Sequence, residues 1–353
     1  MYYPLLKNSN NEMKALRYLK DDSRPQVTPI IESKRVKKNN VVNWESSFKT
    51  LGTFLKERVK DMKFIYDFNC ALEELGEENQ LVTTSGENLV KHCLEKMESQ
   101  ELNVIPCFQH DSPSWLVDSV INSNYKEVAI RIRCHDFQES FNPFVLQKLK
   151  ADLEQTKPDT KVIVILDFFN QPTSIQRLQN TIDTFSKINN SELVYIATSC
   201  PDNASDANPH SVTLIGPRRE FNNFLELRSK KYNVSFGDYT TRLKGEVLNG
   251  FNFNNSYLKV FYSTETDYWI AKSKLIKDDG ESTFHEVCQQ LLEYDFYPGA
   301  EFSFGDAEIY KCANKEIVIS DHQAPIAIGV NHHIETTVAQ LTGFNSPSSS
   351  LYV

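Results

Sequence analysis

Residues 161–168 read Lys-Val-Ile-Val-Ile-Leu-Asp-Phe, an unbroken β-branched and apolar run that ends at an aspartate and a phenylalanine. A strand with one face in water alternates apolar and polar residues. A continuous run calls for burial on both faces, the setting of a parallel strand with helices packed over it. Seven more short runs of similar chemistry lie between about residue 25 and residue 240, at 27–31, 64–66, 103–108, 127–133, 193–198, 211–215 and 233–236. Longer amphipathic segments separate them. Ser112-Pro113 and Asn142-Pro143 each place a capping residue before a proline suited to a first helical position, and Leu146, Leu149 and Leu153 then recur at helical spacing. Ile175, Leu178, Ile182 and Phe185 line one face of the segment after the fifth run.

Eight βα units in a row favour a closed (β/α)8, TIM-barrel-like domain over an open doubly wound sheet. Residues 13–19 then form an extra helix ahead of the first strand. The barrel domain is expected over residues 1–245, followed by a smaller α+β module at 246–345 and a flexible tail at 346–353. Within the module, 249–256 is a polar joint, 257–263 and 267–273 a hairpin, 283–293 a helix, 307–312 and 316–319 a second hairpin, and 334–341 a short last helix. Ser-Phe-Gly-Asp occurs twice, at 235–238 and 303–306, and two unrelated turns account for it.

The amino terminus has no basic, apolar and small-residue succession of a signal peptide, and no stretch has the roughly 18 apolar residues of a membrane span. A cytoplasmic protein is expected. The seven cysteines form no C-x-x-C pair and read as reduced, structural thiols. With 47 acidic against 38 basic side chains the chain is net acidic, which argues against non-specific binding along duplex DNA.

Met1-Tyr2-Tyr3-Pro4-Leu5-Leu6-Lys7, Glu12, Ala15-Leu16 and Pro29-Ile30-Ile31-Glu32 resemble the opening of the phage and bacterial beta family proteins. So do Phe236-Gly237-Asp238-Tyr239, Thr266-Asp267-Tyr268-Trp269, Phe304-Gly305-Asp306 and Ile328-Gly329-Val330-Asn331-His332-His333. The chain departs from that pattern where the family has a Trp-Arg pair ahead of Gly-Thr-Asn-His-His: Pro325-Ile326-Ala327 stands there, and Val330 replaces the threonine. The resemblance implies a protein of mobile-element or antiphage-defence neighbourhoods. It carries over no reaction.

In a βα barrel, function gathers at the carboxyl ends of the strands. There the sequence places Glu32, Asp67, Gln109-His110-Asp111, Arg131, Arg133, His135-Asp136, Asp167, Ser199, Arg218-Arg219 and Asp238. Glu32, Asp67, Asp167 and Asp238 together have the oxygen chemistry for Mg2+, and His110 or His135 could carry a proton near neutral pH. Arg131 and Arg133 share a strand face, and Arg218 follows the expected seventh strand, where barrels often hold phosphate. A metal-dependent phosphodiesterase or nuclease would use Asp67, Asp167 and His135 as its catalytic groups, with the arginines on a phosphorylated ligand or nucleotide. Against this, aspartates at strand ends often only begin turns, as Asp67-Phe68-Asn69 and Asp167-Phe168-Phe169 could. No Gly-rich phosphate loop, G-x-S-x-G elbow or H-E-x-x-H pair is present.

Asp306, Asn331, His332 and His333 form a second candidate binding group. Asn331 reads most simply as the cap of the final helix, because histidines adjacent on a helix diverge by about 100° and do not readily chelate one ion. Trp269, near Tyr268 and Tyr262, reads as packing, or as an aromatic platform for a base or partner. Two function classes follow from these residues: a binding or sensor component that recognises a phage product, nucleotide, or phage or host protein, and a metal-dependent enzyme acting at the barrel mouth. A scaffold whose rim residues pair only with one another is the third.

Overall fold

The computed structural model describes residues 1–75, 80–241 and 255–344. The chain begins with β1 (Tyr2–Lys7) and α1 (Asn10–Arg17), then β2 (Ile30–Glu32), α2 (Leu51–Val59), β3 (Phe64–Asp67), α3 (Leu89–Glu98) and β4 (Val104–Gln109). It continues through α4 (Ser114–Ile121), β5 (Glu127–Arg133), α5 (Asn142–Leu153), β6 (Lys161–Asp167), α6 (Ile175–Phe185) and β7 (Ser191–Ala197). Next come β8 (Ser211–Pro217), α7 (Arg219–Ser229), β9 (Ser235–Asp238), β10 (Tyr257–Ser263), β11 (Asp267–Leu275), α8 (Gly280–Leu292), α9 (Phe304–Ala313) and α10 (Ala324–Phe344).

Strands β1 to β7 and β9 close into a parallel barrel, β9 pairing with β7 on one side and β1 on the other. The barrel is the expected (β/α)8-like architecture, with a different strand set. Tyr2–Lys7, not residues 27–31, is the first barrel strand, and it precedes helix α1. Residues 211–215 leave the barrel: β8 joins β11 and β10 in an antiparallel sheet ordered β10-β11-β8. The residue pattern gives the reason. Ser211 and Thr213 alternate with apolar residues and Leu214 is half exposed, so β8 has the period of a sheet with one open face, whereas β6 is buried from Val162 to Asp167.

Side-chain alternation divides the barrel into two apolar layers. Tyr3, Leu5, Ile30, Ile65, Ile105, Cys107, Ala129, Ile163, Ile165, Val194 and Ile196 fill the interior, while Leu6, Ile31, Phe64, Phe108, Ile130, Val164 and Phe236 face the helices. Gly237 points inward at a tight place, where a Cβ would meet the Tyr3 carbonyl oxygen at 2.5 Å.

The carboxyl-terminal part differs from its expected elements in two places. The hairpin at β10 and β11 and the helix α8 are present as expected, but 307–312 lies in helix α9 and 316–319 forms no strand. The Ser303 side chain accepts from the Asp306 backbone N–H and starts α9, so Ser-Phe-Gly-Asp is a strand at 235–238 and a helix start at 303–306. The short last helix is in fact the 21-residue α10, with Asn331 inside it instead of capping it. Ile328 joins the apolar core of the small sheet, whereas Val330, Ile334 and Val338 join the core between barrel and helices. Helix α10 therefore packs against β10, α9, α1 and β1 at once, which explains why even its polar residues Asn331, His332, His333, Glu335, Thr336 and Thr337 are buried. The expected caps also shift: Pro113 and Phe141 occupy the cap positions of α4 and α5, and the Ser112 hydroxyl instead accepts from the Gln109 N–H at 2.7 Å. Most of the polar joint and the whole tail at 346–353 lie outside the described residues. No helix among the described residues is long and apolar enough to cross a membrane.

Candidate functional site

The inward positions at the carboxyl ends of β2 to β6 are Glu32, Asp67, Gln109, Arg131 and Asp167, and Tyr239 follows β9. They converge on the Arg131 guanidinium. Its Nε donates to Asp167 Oδ2 at 2.8 Å, Nη1 to Glu32 Oε1 at 2.9 Å and Asp67 Oδ2 at 3.0 Å, and Nη2 to the Tyr239 hydroxyl at 3.0 Å. Gln109 Nε2 donates to the same Asp67 oxygen at 2.8 Å, and the Tyr239 hydroxyl donates to Asp167 at 2.7 Å. All six side chains are buried.

Each aspartate splits its oxygens between two tasks. Asp67 Oδ1 accepts from the Asn69 N–H at 3.1 Å, and Asp167 Oδ1 from the Phe169 N–H at 2.9 Å. The turn-starting and the charge-pairing readings of these residues are thus both realised, on different oxygens. Phe169 takes a left-handed backbone, φ 51°, and its ring packs between His135 and Tyr239, so a strained residue is held at the mouth by its neighbours. Burial pushes the Asp67 carboxyl up from its ordinary range, with Arg131 only partly offsetting it. In Asp167 burial acts the same way but is outweighed by Arg131, His135 and the Tyr239 hydroxyl, which hold it below that range.

Arg133 and the histidines lie further out. Arg133 shares the inward face with Arg131 but is part-exposed and pairs with Asp136 at 2.9 Å. His135 Nδ1 is 3.1 Å from the Asp167 backbone oxygen and Nε2 is 3.3 Å from Asp136, so it meets the backbone and not the carboxylate of Asp167. His110 Nδ1 accepts from the Arg133 N–H at 3.4 Å, and burial lowers its basicity.

Asp238 does not belong to this group. Gly237 and Tyr239 occupy the inward positions of their strand, so Asp238 points outward, toward α10. There its Oδ2 meets His333 Nε2 at 2.8 Å, while Oδ1 accepts from the Tyr2 hydroxyl at 2.6 Å and the Thr240 N–H at 2.9 Å. His333 Nδ1 in turn lies 2.8 Å from Ser263 Oγ. Because an ionised carboxylate only accepts, His333 carries its proton on Nε2 and accepts a hydrogen bond from the Ser263 hydroxyl at Nδ1. Burial lowers the basicity of His333, and with the help of Arg218 outweighs the pull of Asp238, which keeps the ring neutral. Asp, His and Ser follow one another here as in hydrolase triads. All three side chains are 0 % exposed, so the hydroxyl cannot meet a substrate, and the chain of bonds ties the barrel to α10 and the small sheet.

Arg218, expected on phosphate, is also fully buried. Its Nη1 donates to Gln340 at 2.8 Å and to the Thr264 carbonyl at 3.2 Å, Nη2 donates to Thr337 at 2.9 Å, and Asp238 and Glu220 each lie 3.7 Å away. It follows β8, which is not a barrel strand, so it never reaches the mouth. Of the second candidate group, Asp306 and His332 come together, whereas Asn331 and His333 turn to other partners. His332 stacks on Tyr262 with ring centres 3.7 Å apart, and its Nδ1 is 2.8 Å from Asp306, which also accepts from Tyr262 at 2.7 Å. Asn331 accepts from the Gly305 N–H and donates to the Ala15 carbonyl, both at 3.0 Å, and so joins α10 to α9 and α1.

Of the four carboxylates expected to converge, three do, and a guanidinium already stands where they meet. A divalent cation would have to displace Arg131, so the acids as placed fit an arginine better than Mg2+. Among the described residues no group of three or more His, Cys, Asp or Glu side chains is arranged to hold a metal ion. Gln109 was legible as a strand-end residue without a role, and Tyr239 was missed, although alternation along Phe236-Gly237-Asp238-Tyr239 marks it as the inward partner. The pairing of Ser263 with His333 and of Tyr2 with Asp238 was not legible, since these partners are far apart along the chain.

A search of curated proteins finds no match to the chain. The model of the family described as Beta protein matches residues 2–339, nearly the whole chain, from β1 into α10, and the protein belongs to that family.

Proposed function

We propose that this protein is a binding or sensor component of an antiphage system or prophage, which recognises a nucleotide, a phage product or a protein partner instead of turning over a substrate through a bound metal. The observation that carries this reading is Arg131. A metal-dependent phosphodiesterase needs carboxylates free to share a cation, and here Glu32, Asp67 and Asp167 are committed to one guanidinium with short, buried bonds. Arg218, the other cation that such an enzyme would place on phosphate, is enclosed among Thr337, Gln340 and Glu220. A second line of support is a cleft of about 470 Å3 beside the β10–β11 turn, within the size range of small-molecule sites.

The test is thermal unfolding of the full chain with Mg2+, Mn2+, Zn2+ and a nucleotide panel, since a ligand that binds only the folded state raises the midpoint by mass action. The binding reading expects a shift from a nucleotide or a purified partner, with none from the divalent ions alone. A Mg2+ or Mn2+ shift that Asp167→Asn abolishes would replace it with the metal-dependent enzyme at the barrel mouth.

A further inference from the structure

Helices α8 and α9 pack against each other, and each carries one cysteine, Cys288 and Cys312, into the apolar core of the small sheet. The two thiols are hydrogen-bonded to each other. His285, one turn before Cys288 on the same face of α8, places its Nδ1 3.5 Å from the Cys312 sulfur and 2.5 Å from the Cys312 carbonyl oxygen, and Gln289 Nε2 donates to the Ala313 carbonyl at 3.1 Å. These contacts fix the end of α9 against α8 and hold the two sulfurs side by side. Elsewhere the thiols meet other groups: Cys70 donates to Glu73 at 3.1 Å, and Cys107 and Cys134 donate to the backbone carbonyls of Phe108 and Ile132 at 3.5 and 3.4 Å.

The pair is chemically unequal. The hydrogen bond from Cys288, together with the His285 ring, outweighs burial and draws the Cys312 thiol below its ordinary range, whereas the Cys288 thiol is pushed well above it. The thiolate is the form that attacks an oxidant, so Cys312 is the nucleophile and Cys288 the second thiol. Two cysteines and a histidine are also donors that zinc accepts, but among the described residues no group of three such side chains is arranged to hold a metal ion.

We propose that Cys288 and Cys312 form a redox-modifiable pair that closes into a disulfide joining α8 to α9, with hydrogen peroxide as the oxidant. The Cys312 sulfur attacks one peroxide oxygen and the O–O bond breaks. The other oxygen leaves with the Cys312 proton as water, and Cys312 becomes a sulfenic acid. The Cys288 sulfur then attacks the Cys312 sulfur, the S–O bond breaks, and the hydroxyl leaves as water with the Cys288 proton. The two thiols lose two electrons and two protons, and one hydrogen peroxide becomes two waters. Both sulfurs are buried, so the reaction waits on local opening of the helix pair. The bond brackets the segment between α8 and α9, which carries Phe296 and Phe302 of the cleft wall, and so ties that segment down at both ends. This modification does not depend on what the protein binds.

The test treats the reduced full chain with hydrogen peroxide, blocks the remaining thiols in denaturant and maps linked peptides without reductant. The expected result is one dominant intramolecular bond, Cys288 to Cys312, reversed by dithiothreitol, with the remaining cysteines still alkylated. Cys288→Ser removes the second thiol, so Cys312 stops at the sulfenic acid and is trapped by dimedone. Links scattered among the seven cysteines, a dominant link between another pair, or no link in a chain that stays folded overturns the proposal. So does a dimedone adduct of Cys288→Ser that forms on another cysteine in place of Cys312.

Discussion

Arg131 and Asp167, on the adjacent strands β5 and β6, meet inside the barrel through two contacts to one carboxylate oxygen, Nε at 2.8 Å and Nη2 at 2.7 Å, with both side chains buried. This pair is the centre of a cluster in which three acids share one guanidinium. Replacing Arg131 by Met leaves Glu32, Asp67 and Asp167 buried without a counter-charge, so Arg131→Met should lose about 3–5 kcal/mol at neutral pH, read as a fall in the urea midpoint. Without the arginine the carboxyl groups titrate higher in the folded than in the unfolded chain. The stability deficit should therefore be smallest near pH 4 and grow as pH rises toward 7. A deficit independent of pH would show that the acids do not interact with Arg131 as described.

The neutral His333 between Asp238 and Ser263 predicts a pH dependence of its own. Its folded-state basicity is lowered by burial, so the unfolded chain binds more protons as pH falls through the ordinary histidine range near 6.5. That stability is present above the unfolded value and is lost on acidification. His92, His110 and His322 are lowered in the same direction, so the comparison must be differential. Chemical unfolding of wild type and His333→Gln at pH 7.5 and pH 5.5 should show a larger acid loss in the wild type. Equal losses would place the titration elsewhere.

Two glycines of the carboxyl-terminal helices should respond oppositely to alanine. A Cβ on Gly305 would meet the Ile328 carbonyl oxygen at 2.3 Å, so α9 and α10 must separate, at a cost of about 1–3 kcal/mol. Among the described residues, nothing beyond its own helix and chain neighbours lies within 4 Å of the position a Cβ on Gly343, near the end of α10, would take. Gly343→Ala should stabilise by roughly 0.4–1 kcal/mol, since alanine restricts the unfolded chain and favours helix. The unfolding midpoints of the two variants should bracket the wild type.

All seven cysteines are buried and outside any disulfide. Burial raises Cys107 well above the ordinary thiol range and raises Cys93 and Cys134 beyond it as well, which leaves little thiolate at neutral pH. A thiol reagent should therefore label the native protein slowly and all seven sites rapidly in denaturant. Fast native labelling of one site would point first to Cys312, which Cys288 and His285 draw below the ordinary range.

The barrel was legible from its strands because burial on both faces leaves a local mark: Val162 to Leu166 can be read without knowing any partner. The same reading took 211–215 as a barrel strand and missed Tyr2–Lys7. Strand chemistry shows that a segment pairs, while the choice of neighbour depends on which edge is open once the barrel closes. Ser-Phe-Gly-Asp makes the point in four residues, as a strand at β9 and a helix start at α9, because the pairing of β9 with β1 and β7 and the packing of α9 on α10 outweigh local preference.

The site divides along the same line. The sequence by itself determined that Glu32, Asp67, Arg131 and Asp167 stand at strand ends, since a strand and its end are local features; it grouped Asp238 with them, because alternation in a strand buried on both faces does not say which face turns inward. Only the tertiary structure decided that the three acids close on Arg131, that Asp238 turns outward to His333, and that Arg218 is enclosed beside α10. Those outcomes depend on contacts between residues 36 to 122 positions apart in the chain, where charge and burial act through space.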